Sequence, residues 1–129
     1  MDEYLQISNK NIIVTGVSGE IGGAIAIGAK LHGLNVIGFD IVEPNKDILA
    51  SLDFFYCGDV CIQQDIEVFK SKILGKFEID AVVCCAGIIG EITDVENINI
   101  DKFIACINSS ILGTMLFVKN FSSVFKKKR

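Results

Sequence analysis

The chain has 129 residues, half of them hydrophobic, with a formal net charge of −4 and a single proline. That length argues for one compact domain, and dispersed charge of the acidic sign argues against a nucleic-acid footprint. A mean hydropathy of +0.49 suits a parallel sheet covered on both faces, whose strands read as continuous apolar runs.

The first such run is Asn11-Ile12-Ile13-Val14-Thr15, a predicted buried strand. It leads through Gly16-Val17-Ser18-Gly19 into a helix whose apolar stripe is Ile21, Ala24, Ile25, Gly28 and Ala29, with Gly22, Gly23 and Ala24 small enough for close approach. His32-Gly33 closes that helix. A second strand over 35–39 ends at Asp40, and a short helix over 45–52 follows Pro44 with Ile48, Leu49 and Leu52 inward. Residues 54–57 form a third strand and lead to Gly58-Asp59-Val60. The next helix carries Ile62, Ile66, Phe69 and Ile73 on one face and stops at Gly75. A fourth strand over 79–85 gives way at Ala86-Gly87. The last predicted helix starts near Asn99, with Ile100, Phe103, Ile104, Ile107 and Ile111 inward. This order is β-α-β-α-β-α-β-α, and right-handed crossovers then favour a doubly wound parallel sheet of Rossmann type in the order 3-2-1-4.

The five cysteines, Cys57, Cys61, Cys84, Cys85 and Cys106, are an odd number. The chain opens on polar residues that include Asp2 and Glu3, without an apolar leader. They are therefore expected to be reduced, buried thiols of a cytoplasmic protein. Cys57, Cys61 and the lone His32 are too few for a metal site, so none is expected. The longest uncharged run, 103–118, contains Asn108, Ser109, Ser110 and Thr114. It falls short of the roughly 18–20 apolar residues of a membrane span, and no membrane role is expected. Lys126-Lys127-Lys128-Arg129 reads as a solvated basic end.

The stretch from Val14 to Gly23 carries the chemistry. Glycines after a buried strand let bare backbone approach a pyrophosphate, and the helix that follows offers unpaired N–H groups. Asp40, eighteen residues beyond Gly22 at the end of the second strand, can accept hydrogen bonds from both hydroxyls of an adenosine ribose. It would repel a 2′-phosphate, and no Lys or Arg stands beside it or in the turn. NAD is thus expected in preference to NADP.

With these motifs the chain resembles the short-chain dehydrogenase/reductase family over 11–125. Thr15-Gly16-Val17-Ser18-Gly19-Glu20-Ile21-Gly22 is similar to its cofactor turn, Asp59-Val60 to its adenine-contacting pair, and Cys84-Cys85-Ala86-Gly87 to its Asn-Asn-Ala-Gly motif. The resemblance implies cofactor contacts at Gly16, Ser18, Gly19, Glu20, Ile21, Gly22, Asp40, Ile41, Asp59, Val60, Cys85, Ala86 and Gly87. It implies hydride transfer between NAD and an alcohol or carbonyl in complete members. In the last helix Phe103 and Gly113 fit a family frame whose asparagine slot is Ser110, which reads either as an ordinary helix serine or as an auxiliary position in the proton relay.

The departures are specific. Glu20 stands where the single-domain branch has glycine, while Gly19 gives the glycine spacing of the extended branch that acts on nucleotide sugars. Cys84 and Cys85 replace two bracing asparagines. Neither tyrosine begins the Tyr-x-x-x-Lys of the family, since Ser8 follows Tyr4 and Val60 follows Tyr56 at that spacing. The resemblance therefore corresponds to about the first half of the family fold, before its fifth strand and catalytic serine. Two consequences are expected: a fourth strand at an open sheet edge, and self-association through that edge or the last helix. The alternatives are a piece of an extended-branch epimerase or dehydratase, and a non-catalytic module that senses a nucleotide or assembles with a partner.

Overall fold

Five residues, Asn11–Thr15, form the central strand β1, and alternation along it sends Ile12 and Val14 to one face and Ile13 to the other. The computed structural model describes residues 6–127; Tyr4 and the Lys128-Arg129 end of the basic run lie outside the described residues. Helix α1 (Glu20–Leu31) leads to β2 (Asn35–Asp40), α2 (Lys46–Ala50) to β3 (Phe54–Cys57), and α3 (Gln63–Ile73) to β4 (Ile79–Cys84). The strands are parallel and ordered β3-β2-β1-β4, as expected from the sequence.

One face of the sheet buries Ile12, Val14 and Val36 under Val17, Ala26 and Ile48 of the α1/α2 side. The other buries Ile13, Ile37 and Phe39 under Ile66, Phe69, Ile73, Phe117 and Phe121. β4 skips a residue between its pairings with Asn11 and Ile12. Asp80 occupies this irregularity, and its carboxylate takes the Asn11 N–H at 2.8 Å.

After β4 a 3₁₀ turn (Val95–Asn97) precedes α4 (Ile100–Ile107), which runs through a π-helical turn (Asn108–Leu112) into α5 (Gly113–Lys126). Asn99 caps α4 by accepting the Lys102 N–H at 3.2 Å. The apolar stripe expected to face inward on this helix does not. Ile100, Phe103, Ile104, Ile107 and Ile111 are all exposed, and Gly113, Phe117 and Phe121 are the buried residues. The reason is reach: α5 lies against β4 and α3, whereas α4 packs mainly on its own continuation. By length and composition Ile100–Lys126 is the one helix among the described residues that could cross a membrane. It outruns the uncharged stretch because Lys102 and Lys119 lie within it, and Phe117 and Phe121 seat it on the sheet.

Three smaller expectations also fail. Ile21 and Ala24 face solvent on α1, whose buried residues are Gly22, Gly23 and Ala26. Leu49 and Ile62 are exposed at a short helix and a helix start, where a single turn has no second face to hide. None of the five cysteines is buried; Cys57 and Cys84 are exposed and the others half-buried, and all are free thiols.

The inner face of α5 joins an aromatic cluster in which Phe39 and Phe117 meet edge to face at 5.0 Å and Phe117 stacks on Phe121 at 5.7 Å. Phe117→Ala is expected to destabilise the fold by about 3–5 kcal/mol, while Phe103→Ala on the exposed stripe changes stability by less than about 0.5 kcal/mol. Urea unfolding of the two variants checks this; equal losses would place both rings in one core.

Candidate functional site

Gly16, Asp40 and Ala86 lie just beyond the C-terminal ends of β1, β2 and β4, and Asp59 and Val60 follow β3; where connections leave a parallel sheet in opposite directions, this end is the one that receives ligands. Gly16 turns the chain out of β1 with φ of +65°. A Cβ there would lie 2.6 Å from the Ala86 nitrogen, so the turn rests directly on the backbone that leaves β4. Gly22 is pressed against the same turn, and a Cβ on it would overlap the Gly16 carbonyl. Gly19 differs, since its only close neighbour would be the Gly16 oxygen at an ordinary 3.4 Å. Two glycines are thus demanded by the protein's own packing and one is not.

No side chain caps α1 at Gly19, and the first N–H groups of a helix have no intrahelical partner. Gly23 N–H makes the first helical bond, to the Gly19 carbonyl at 2.8 Å. Glu20 is exposed in that first turn and Ile21 is 74% exposed. The carboxylate therefore projects into solvent and suits the helix dipole.

Asp40 is half-buried at the end of β2. One carboxylate oxygen accepts the Ser18 N–H at 2.9 Å, the other the Val42 N–H at 3.1 Å. A carboxylate has about four acceptor sites, so each oxygen keeps one for another donor. Ile41 is exposed beside it. Asp59 and Val60, predicted as a pair, divide their work. The Asp59 carboxylate accepts the Cys61 N–H at 2.8 Å, its own N–H goes to Asp65, and Val60 is buried where a Cβ on Gly113 would crowd it.

Cys84 and Cys85 were expected to leave the end of β4 unbraced. Thr15 supplies the brace instead: its buried hydroxyl accepts the N–H groups of Cys85 and Ala86, each at 3.2 Å. Those two donors are therefore engaged. Gly87 is exposed, and a Cβ on it would sit 3.1 Å from the Ser110 hydroxyl. The π turn thus brings Ser110 to the edge of the site. Tyr56 is a packing residue, with its ring stacked 5.7 Å from Phe39 and Lys72 over its face.

Two residues of this arrangement escaped sequence reasoning as site residues. Thr15 could have been found from the rule that a buried hydroxyl needs partners. Val42 carried no sequence signal, because its part is played by backbone atoms. Two clefts flank the site. One, of about 320 Å³, runs between β4 and α5 and is lined by Val82, Cys84, Phe117 and Phe125; the other, of about 480 Å³, lies between residues 88–91 and α4. In the second, Glu91 pairs with Lys102 and takes the Asn99 N–H, which together hold its carboxyl below the usual range. Among the described residues no group of three or more His, Cys, Asp or Glu could hold a metal ion.

Known proteins share this fold. The short chain dehydrogenase family profile matches residues 10–129. A coniferyl-alcohol dehydrogenase of a Pseudomonas species is 36% identical over 86 residues, covering 67% of this chain and 31% of its own length. The short-chain dehydrogenase/reductase olcF of Penicillium canescens is 31% identical over 116 residues, 88% of this chain and 45% of its own. The chain therefore spans less than half the length of either curated relative. Among solved structures, a 3-ketoacyl-(acyl-carrier-protein) reductase from Brucella melitensis, complexed with NADH, superposes with a TM-score of 0.85 at 20% identity. That match covers 95% of this chain and 52% of the reductase.

Two outcomes follow from the geometry. Gly22→Ala is expected to cost about 1–3 kcal/mol through overpacking against Gly16, and Gly19→Ala less than about 0.5 kcal/mol, as read by denaturant titration. Partial desolvation of a thiol that is still reachable, and then the neighbouring Cys85, push Cys84 up, while partial desolvation alone raises Cys85. Both therefore carry less thiolate at a given pH than in the unfolded chain. Iodoacetamide at pH 8.5 should alkylate them more slowly in the folded protein, with the gap closing as pH rises; equal rates would contradict the assignment.

Proposed function

The chain belongs to the short-chain dehydrogenase family, and from that premise we propose that its residues form the NAD-binding portion of a family member. The single observation that carries this reading is the Ser18 N–H to Asp40 bond of 2.9 Å, which sets the glycine turn and the β2 carboxylate side by side. A turn for phosphates and an acceptor for ribose hydroxyls belong at that separation in a dinucleotide site.

The residues fit the cofactor. The uncapped N–H groups that open α1, beside Gly19 where a Cβ would make only an ordinary 3.4 Å contact, would receive the pyrophosphate. The free acceptor sites of Asp40 would take the two ribose hydroxyls, and the charge of that carboxylate would repel a 2′-phosphate. Ile41 and the Asp59-Val60 pair would frame the adenine, and the backbone at Cys85, Ala86 and Gly87 would face the second ribose. When bound, NAD supplies a nicotinamide ring that accepts hydride from an alcohol or, once reduced, returns it to a carbonyl. Ser110 stands where it could hold a water near Gly87. The family's Tyr-x-x-x-Lys is absent from these residues, so the chain alone is read as binding the cofactor without turning over an alcohol. The exposed apolar stripe of α4 and the outer edge of β4, which no further strand joins among the described residues, are the surfaces we assign to contact with a second copy.

Isothermal titration should show NAD binding and NADP binding at least about tenfold weaker, since each tenfold corresponds to about 1.4 kcal/mol. No secondary alcohol should reduce NAD in the presence of the chain. Absence of heat with NAD would remove the reading. Glu20→Gln takes a negative charge from the mouth of the pyrophosphate site and should tighten NAD by about two- to fivefold, the effect of one charge at a helix N-terminus. Its melting temperature should fall slightly, because the same charge favours the free helix.

A further inference from the structure

Residues 40–42 are tied down more heavily than a surface connection requires. The Asp40 carbonyl accepts the Gly58 N–H at 2.9 Å, and the Ile41 carbonyl accepts the Cys57 thiol at 3.3 Å. On the opposite side stands Ser18. Its N–H donates to one Asp40 oxygen, its hydroxyl donates to the Val42 carbonyl, and the Val42 N–H donates to the other Asp40 oxygen. Three residues from two segments thus form a closed ring of hydrogen bonds, although Ile41 and Val42 are 62% and 61% exposed and have little packing to hold them.

We infer that Ser18 is a positioning residue for cofactor choice, acting through Asp40. Resting on the reading above, this gives the serine a task distinct from touching phosphate. Its hydroxyl straps Val42 to the glycine turn, and Val42 in turn holds the second oxygen of the Asp40 carboxylate. With both oxygens pinned, the carboxylate has one orientation, and its remaining acceptor sites face outward together. A ribose bearing two free hydroxyls meets two fixed acceptors. A 2′-phosphate meets a negative charge that cannot swing aside. Without the strap, residues 41–43 lose their tie to the turn, and Asp40 gains freedom to rotate away. Affinity for NAD then falls while the rejection of NADP relaxes.

The test is a double-mutant cycle read by binding alone. Dissociation constants for NAD and NADP are measured by titration calorimetry on the wild-type chain, Ser18→Ala, Asp40→Ala and the double variant, with circular dichroism melts of each. Loss of one hydrogen bond is worth roughly two- to twelvefold, so Ser18→Ala should weaken NAD by about three- to tenfold. NADP should be unchanged or tighter. The same substitution in the Asp40→Ala background should have no further effect, and Ser18→Thr, which keeps a hydroxyl, should restore NAD affinity. Equal weakening of NAD and NADP, or the same loss in both backgrounds, would make Ser18 a direct phosphate contact and overturn the proposal. Unchanged NAD affinity in a folded Ser18→Ala would also overturn it. A wild-type chain that binds neither nucleotide would instead defeat the parent reading.

Discussion

A hydroxyl buried at the end of a central strand must be satisfied within the protein, and Thr15 meets that demand with the two N–H groups that leave β4. The bond joins the strands on which the chain reverses direction across the sheet. It draws the Cys85-Ala86 backbone against Gly16, and Gly16 against Gly22 on α1. Any residue with a side chain at either glycine would break that stack. The site is therefore built from backbone pressed on backbone, with one hydroxyl setting the spacing. Replacement of two bracing amides by Cys84 and Cys85 is tolerable on this account, because the brace belongs to β1.

Much of the fold was legible because strands and turns are local. Apolar runs of four to six residues bounded by glycine or charged residues read as strands, buried in β1 and β2 and half-buried in β3 and β4, and their order restricts the topology. The faces of helices were read less well. On α1 the stripe through Ile21 and Ala24 looked continuous in the sequence, yet Gly22, Gly23 and Ala26 are the buried residues. A helix that approaches a turn this closely buries its smallest side, which apolar periodicity does not rank. On α4 the periodicity was sound and the destination was not, since half the helix lies where the sheet offers little to pack on. The cysteines were placed inside from their habits as a residue type, whereas three of them, Cys57, Cys84 and Cys85, stand at the strand ends.

The candidate site shows the same division. Glycine spacing and a carboxylate at the correct distance are one-dimensional signals, and they pointed to residues that the fold brings together. The Ser18 and Val42 contact depends on the backbone path of an exposed connection, which no residue type announces. Glu20 is the converse case, a residue whose oddity is plain in the sequence and whose resolution needs the fold. Exposed in the first turn of α1, it favours the helix and opposes an anion at the same place. The chain thus carries a compromise between the stability of an element and the ligand that element would serve.

The π turn over Asn108–Leu112 has a consequence for which side of the last helix meets the sheet. An i→i+5 turn adds a residue without breaking the rod, so the apolar stripe of α4 and the buried face of α5 are offset around one axis. The two faces change over at Gly113, where a Cβ would lie 2.5 Å from the Val60 side chain. The rod can therefore rest on the exit of β3 only while that position stays bare.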